Sequence, residues 1–205
     1  MEGLGEAERL AIAYAPVRLR SGYSALLALD GVLARIALGA REPLPAQLKL
    51  AWWRDGCARL PDARGHPVLA ALAESWEGNS APLTALVDAW EEVAGTALGF
   101  PAAAEAVARQ RATALARCAG VDQRAGLEAA RAWTLATLAD HASDPAERAQ
   151  LRVAAGLIRP QRLPRILRPL AVLAGLARRA VAADRPLLGD RLSPLAAMRL
   201  GIFGR

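Results

Sequence analysis

Apolar residues recur along most of this chain at three- and four-residue steps, broken at intervals by proline and glycine, which is the pattern of successive amphipathic helices. A short helix is expected from Leu4 to Ala15, stopped by Pro16. Leu19, Tyr23, Leu26, Leu27, Asp30, Leu33 and Ile36 then mark one face of a long helix that ends at Gly39. Pro43 and Pro45 fix φ where a first turn leaves its N–H groups unpaired anyway, so a third helix is expected to begin between Leu44 and Ala46 and to run to Leu60. Within it Leu48 and Trp52, and also Trp53 and Cys57, are i,i+4 neighbours, which predicts a broad apolar stripe packed on two sides. Arg54, Asp55 and Arg59 fall toward the other face, Asp55 and Arg59 at the spacing of a surface ion pair.

Farther on, Pro61 and the following Asp-Ala-Arg-Gly-His-Pro form a turn, with His66 at the boundary of a helix opened by Pro67. Gly78-Asn79-Ser80 forms a second turn, with Ser80 placed to cap the helix that Pro82 begins. Pro101 opens a helix that Gly120 stops, and residues 122–141 give another, with Leu127, Ala130, Trp133 or Thr134, Leu135 and Leu138 on its apolar side. A short helix occupies residues 145–156. Pro160, Pro164 and Pro169 then forbid a continuous helix, so Arg159, Arg162, Arg165 and Arg168 line an irregular or extended connector. An apolar helix follows from Pro169. Ser193 and Pro194 start the last one, whose Leu195, Met198 and Ile202 are expected to dock against the bundle. The pattern shows no repeat and predicts an all-α fold, one domain over residues 1–205.

Composition supports the helical reading, because alanine and leucine dominate and β-branched and aromatic residues are few. A chain of 205 residues can bury a core large enough to need no metal or disulfide. Cys57 and Cys118 fall among apolar helical positions, as buried thiols of a reducing cytoplasm would, and with only His66 and His141 available no zinc set is expected. Glu2, Glu6 and Glu8 stand where a secretory signal would be basic, and no uninterrupted apolar run reaches the ~18–20 residues of a membrane span. The net charge of +6 is uneven: residues 145–205 hold 12 arginines against Glu147, Asp184 and Asp190, a surplus of +9 that leaves −3 elsewhere. No aromatic residues interleave with those arginines, so a nucleic-acid partner is not expected.

Residues 42–60 carry the most specific motif. Glu42-Pro43, a short spacer, Lys49-Leu50 and then Trp52-Trp53-Arg54-Asp55 resemble the signature of the squalene and phytoene synthase family, Glu-Pro-x-x-Gly-Gln-x-Arg-Leu-x-Trp-Trp-Arg. The family's glycine is replaced here by Pro45-Ala46 and its arginine by Lys49, which keeps the charge but not bidentate bonding. His66-Pro67-Val68-x-x-Ala71-Leu72 extends the resemblance, which covers residues 14–72 by motif and the remainder by helical order. It implies the isoprenoid-synthase type of all-α bundle, here truncated, with antiparallel helices around a central cavity. It also implies, for catalytic members, head-to-head condensation of two prenyl diphosphates by Mg²⁺ held on two Asp-x-x-x-Asp clusters.

That chemistry needs two carboxylates one helical turn apart, because hard Mg²⁺ takes oxygen ligands and bridges to phosphate. The long second helix offers Asp30 alone, with Ala34 and Arg35 beyond it, so the first cluster is absent and Asp30 reads as a surface or ion-paired residue. Asp140 and Asp144 have the spacing of the second cluster. Yet Asp144-Pro145-x-Glu147 is also an N-cap, a first-turn proline and a capping-box partner, and that reading is preferred. Asp88 and Glu92 share the spacing too, although Glu91 beside them suggests a solvated acidic face. Arg159, Arg162, Arg165 and Arg168 could hold an anion or face a membrane surface, or pair with the acidic part of the chain.

The chain is therefore expected to be a non-catalytic relative without a cofactor, resembling the branch of a complex I assembly factor. Such a protein would be a cytoplasmic or peripheral scaffold, at the inner membrane, for a membrane-bound partner. The alternatives are a prenyltransferase using Mg²⁺ and prenyl diphosphates, and an isoprenoid or lipid-headgroup binding protein.

Overall fold

Proline sets helix starts throughout the chain. It occupies the first turn of α3 (Pro43–Ala58), α4 (Pro67–Ser75), α8 (Pro145–Leu157) and α9 (Arg168–Ala183), where its missing N–H has no partner to lose. The computed structural model describes residues 4–60, 65–95, 101–185, 187–188 and 193–203. The other helices are α1 (Glu6–Ile12), α2 (Arg20–Leu38), α5 (Ala81–Gly95), α6 (Pro101–Ala119), α7 (Leu127–His141) and α10 (Ser193–Phe203). Among the described residues there is no strand, and the fold is all-α. The expected turn over residues 61–64, the Ser193 side chain and Arg205 lie outside the description.

Helix α2 runs through the middle and touches α1, α3, α4, α5 and α6. Around it α3 packs on α5, α5 on α6, α6 on α7, and α7 on both α8 and α9, while α1 and α10 close over α9. A single cluster of buried apolar side chains runs from Ala7 to Leu200. With the 3₁₀ turn before it, α2 forms a 22-residue segment, Val17–Leu38, long and apolar enough to cross a membrane. Counting uninterrupted apolar residues misses it because Arg18, Arg20, Asp30 and Arg35 break the run. Its apolar character serves the core, since Tyr23, Leu26, Leu27, Leu29 and Leu33 are all buried. The Tyr23 hydroxyl donates to the Ile166 carbonyl at 2.7 Å and so ties α2 to the turn that opens α9.

Several sequence expectations change at the bundle edge. Trp53 is 5 % exposed but Trp52 is 53 % exposed, so α3 packs on one side and not two. Adjacent helical residues point about 100° apart, and α3 lies at the rim, where one tryptophan must face out. Leu44, Leu48 and Trp52 form an exposed row, and Trp52 meets Trp53 edge to face with ring centroids 5.2 Å apart. Arg59 reaches the Asp55 backbone carbonyl in place of its carboxylate. Asn79, and not Ser80, supplies the side chain that accepts the Ala81 N–H.

The largest departure is α10. Leu195, Met198 and Ile202 do not dock on the bundle but are 57 %, 47 % and 57 % exposed. The opposite face, Ala197, Leu200 and Gly201, is the buried one. A Cβ at Gly201 would overlap the Tyr14 ring, and one at Gly175 of α9 would overlap Leu200. Small residues thus let α10 lie close against α1 and α9, and the bulky apolar side chains are turned outward.

Truncating the buried tryptophan and leaving the exposed one should separate their roles. Trp53→Ala is expected to lower unfolding free energy in urea by about 3–5 kcal/mol, and Trp52→Ala by about 1 kcal/mol or less.

Candidate functional site

The middle of the bundle holds charge. Arg111 of α6 and Asp30 of α2 are both buried. The Arg111 Nε donates to both Asp30 carboxylate oxygens at 3.1 Å, and Nη2 lies 2.9 Å from Oδ2. Trp90 of α5 donates its indole N–H to Asp30 Oδ1 at 2.8 Å, and Arg111 Nη1 donates to Thr134 Oγ1 of α7 at 3.0 Å. The guanidinium carbon sits 3.8 Å from the Trp133 ring centroid and 5.1 Å from that of Trp90, so the cation lies between two indole π-systems. Four helices meet in this cluster, and both oxygens of Asp30 are engaged.

Burying two ions costs several kcal/mol each unless they are paired and their remaining groups bonded, and here both conditions hold. Asp30 was visible in the sequence as an isolated carboxylate. Its partners were not, although one signal existed: Arg111 falls on the same helical stripe as Val107, Leu115 and Cys118, where an unpaired charge would not be tolerated. Glu8 of α1 joins the neighbourhood. Burial is the main reason its carboxyl titrates above the usual range, and the charge of Asp30 adds to the rise while Arg9 and Arg111 oppose it.

The other candidate carboxylates sit on α5 and around the α7–α8 break. Asp144 accepts the Ala146 N–H at 3.0 Å and caps α8. Asp140, at the end of α7, lies 3.6 Å from Arg152 of α8, and burial raises its pKa, offset in part by Arg152. The two therefore flank a helix break and serve different neighbours. Asp88 and Glu91 of α5 both bind Arg54 of α3, so the arginine of the Trp-Trp-Arg motif clasps α3 to α5. Asp88 thus shares an arginine with Glu91, and Glu92 lies one turn beyond it on the same helix. His66 accepts the Val68 N–H through Nδ1 at 3.2 Å, capping α4, and its ring packs against Trp53 and Trp52. Among the described residues no three His, Cys, Asp or Glu side chains converge as metal ligands. Among the described residues the carboxylates do not fit a Mg²⁺–diphosphate site.

Of the four arginines assigned to the connector, Arg159, Arg162 and Arg165 are exposed, but Arg168 is buried at the start of α9. Pro169 puts Arg168 at the helix entry, and the side chain folds back to the Leu163 carbonyl at 3.4 Å. Burial lowers its pKa, and Arg162 and Arg165 lower it further. Arg168 therefore does not share the exposed surface assigned to all four. Both thiols are also withdrawn from reaction, Cys57 pushed up to about 12 and Cys118 to about 11 by burial. The clefts on the surface are peripheral; one of 520 Å³ lies between α9 and α10, lined by Gly175, Arg178, Leu195 and Arg199 among others.

Residues 6–96, which span α1 to α5, match the squalene/phytoene synthase family model. No curated protein and no solved structure matches the chain. Asp30, Trp90 and the Trp-Trp-Arg motif fall inside the matched region, whereas Arg111, Trp133 and Thr134 fall outside it.

Breaking the central pair one side at a time is expected to be severe. Arg111→Met should destabilise by about 3–5 kcal/mol because it leaves a bare carboxylate in the core. Asp30→Leu combined with Arg111→Met should fall short of the sum of the single changes by about 2–3 kcal/mol in a double-mutant cycle. Glu8 gives a pH-dependent test. Its raised pKa means that its contribution is intact below the ordinary carboxyl range and is lost as pH rises through the folded value. Glu8→Gln should therefore match wild type in acid and exceed it in stability at neutral pH, read from urea midpoints across a pH series.

Proposed function

We propose, from the squalene/phytoene synthase domain over residues 6–96, that this chain is a non-catalytic member of that group which acts as a binding or assembly scaffold for a membrane-bound complex. The observation that carries the reading is the state of Asp30. It is the only carboxylate on the first long helix after Arg20, and both its oxygens are held by Arg111 and Trp90. A carboxylate so engaged has no geometry left for a metal and a diphosphate, because its lone pairs already point at donors on α5 and α6. Asp144 is occupied as a helix cap, which leaves Asp140 beside Arg152 without a second acidic ligand one turn away. Ionisation of an allylic diphosphate needs charge neutralisation from both sides, and these side chains supply neither.

What supports a membrane-side role is the charge distribution. The C-terminal third carries the basic surplus, and its exposed arginines include Arg159, Arg162 and Arg165. The cytoplasmic leaflet is anionic and attracts such a surface.

Turnover settles the choice between scaffold and enzyme. Purified protein given farnesyl or geranylgeranyl diphosphate with Mg²⁺ is expected to release no pyrophosphate above a protein-free control. Release that disappears in Asp140→Ala would overturn the scaffold reading in favour of a prenyltransferase.

A further inference from the structure

Helix α10 is built inside out. Its bundle side is made of Ala197, Leu200 and Gly201, and its outward side of Leu195, Met198, Ile202 and Phe203, all about half exposed. The four outward residues span positions i, i+3, i+7 and i+8, a contiguous stripe along one face. A helix whose only purpose was to complete the core would present its large side chains inward, so this arrangement leaves substantial apolar surface facing away from the protein. Eleven residues make a rod about 16 Å long, too short to cross a bilayer and long enough to lie along its surface.

The surroundings of the stripe are basic. Arg199 rises from within it, between Leu195 and Phe203 on the helical wheel, and Arg178 of α9 faces it across the α9–α10 cleft. A second cleft lined by Pro160, Arg178, Arg199 and Phe203 joins the stripe to the arginine-rich connector. From Arg159 to Ala183 the sequence contains no Asp or Glu, and α10 contains none either. Apolar side chains of the Leu, Met, Ile and Phe kind, rimmed by arginines whose stems can lie along acyl chains while their heads reach phosphate, match an anionic lipid surface in both polarity and sign.

We infer that the outward face of α10, with Arg178 and Arg199, is a docking surface for an anionic lipid bilayer, on which α10 lies flat with Leu195, Met198, Ile202 and Phe203 in the headgroup–acyl boundary. This names the surface to which the proposed scaffold attaches. It rests on that reading for its biological sense only, because vesicle binding is scored without reference to turnover.

The test is flotation of the full chain with vesicles of phosphatidylcholine alone or mixed with phosphatidylglycerol. Wild type is expected to float with the mixed vesicles, to be released by salt, and to remain behind with the neutral ones. Leu195→Ser/Met198→Ser/Ile202→Ser should abolish flotation with its circular dichroism melt unchanged, because those side chains are already exposed. Arg199→Gln should lower partitioning about fivefold. Flotation of the triple variant at the wild-type level would overturn the inference, as would binding indifferent to salt and lipid charge. A dimer that the triple variant dissolves, with no vesicle binding by wild type, would reassign the face to a second copy of the chain. Pyrophosphate release in the separate turnover assay would remove the scaffold reading and leave the vesicle result standing.

Discussion

A guanidinium enclosed by two indole rings at the centre of a helical bundle has to be neutralised where it stands, and the arrangement of α2, α5, α6 and α7 follows from that requirement. Arg111 can only satisfy Asp30 and Thr134 together if α2 and α7 both pack on α6. Trp90 can only donate to Asp30 if α5 comes in beside them. The network therefore specifies the mutual rotation of four helices whose apolar faces, rich in alanine and leucine, would tolerate several packings. Apolar burial supplies the driving force, and the polar cluster selects one arrangement.

Outside the centre, the Trp-Trp-Arg and His-Pro motifs work as a clasp. Trp53 enters the core, Arg54 holds Asp88 and Glu91 of α5, and His66 caps α4 while packing its ring on both tryptophans. The Trp-Trp-Arg and His-Pro elements are separate in sequence and adjacent in space. Their spacing describes one corner of the fold, where α3, α4 and α5 join.

Helix starts and stops were legible because proline, glycine and capping residues act locally: Pro43, Pro67, Pro145 and Asp144 do what their chemistry dictates wherever they occur. Which face of a helix would be buried was less legible. α10 shows why, since its larger apolar residues point out and the face that packs is recognised by close approach to Tyr14 and to Gly175 of α9, neither of which is nearby in sequence. Trp52 misleads in the same way, because periodicity reports that a side chain is apolar and not whether a neighbour exists to cover it. Of the candidate site, Asp30 could be picked out but its environment could not: the residues that determine its state lie 60 and 81 positions away.

The Asp30–Arg111 pair also constrains how this sequence can drift. Loss of either member alone leaves a bare charge in the interior, so the two positions are epistatic and are free to vary only in concert. A second aspartate arising one turn along α2, at Ala34, would find Asp30 already committed to α5 and α6. No single substitution in α2 therefore creates a paired-carboxylate centre.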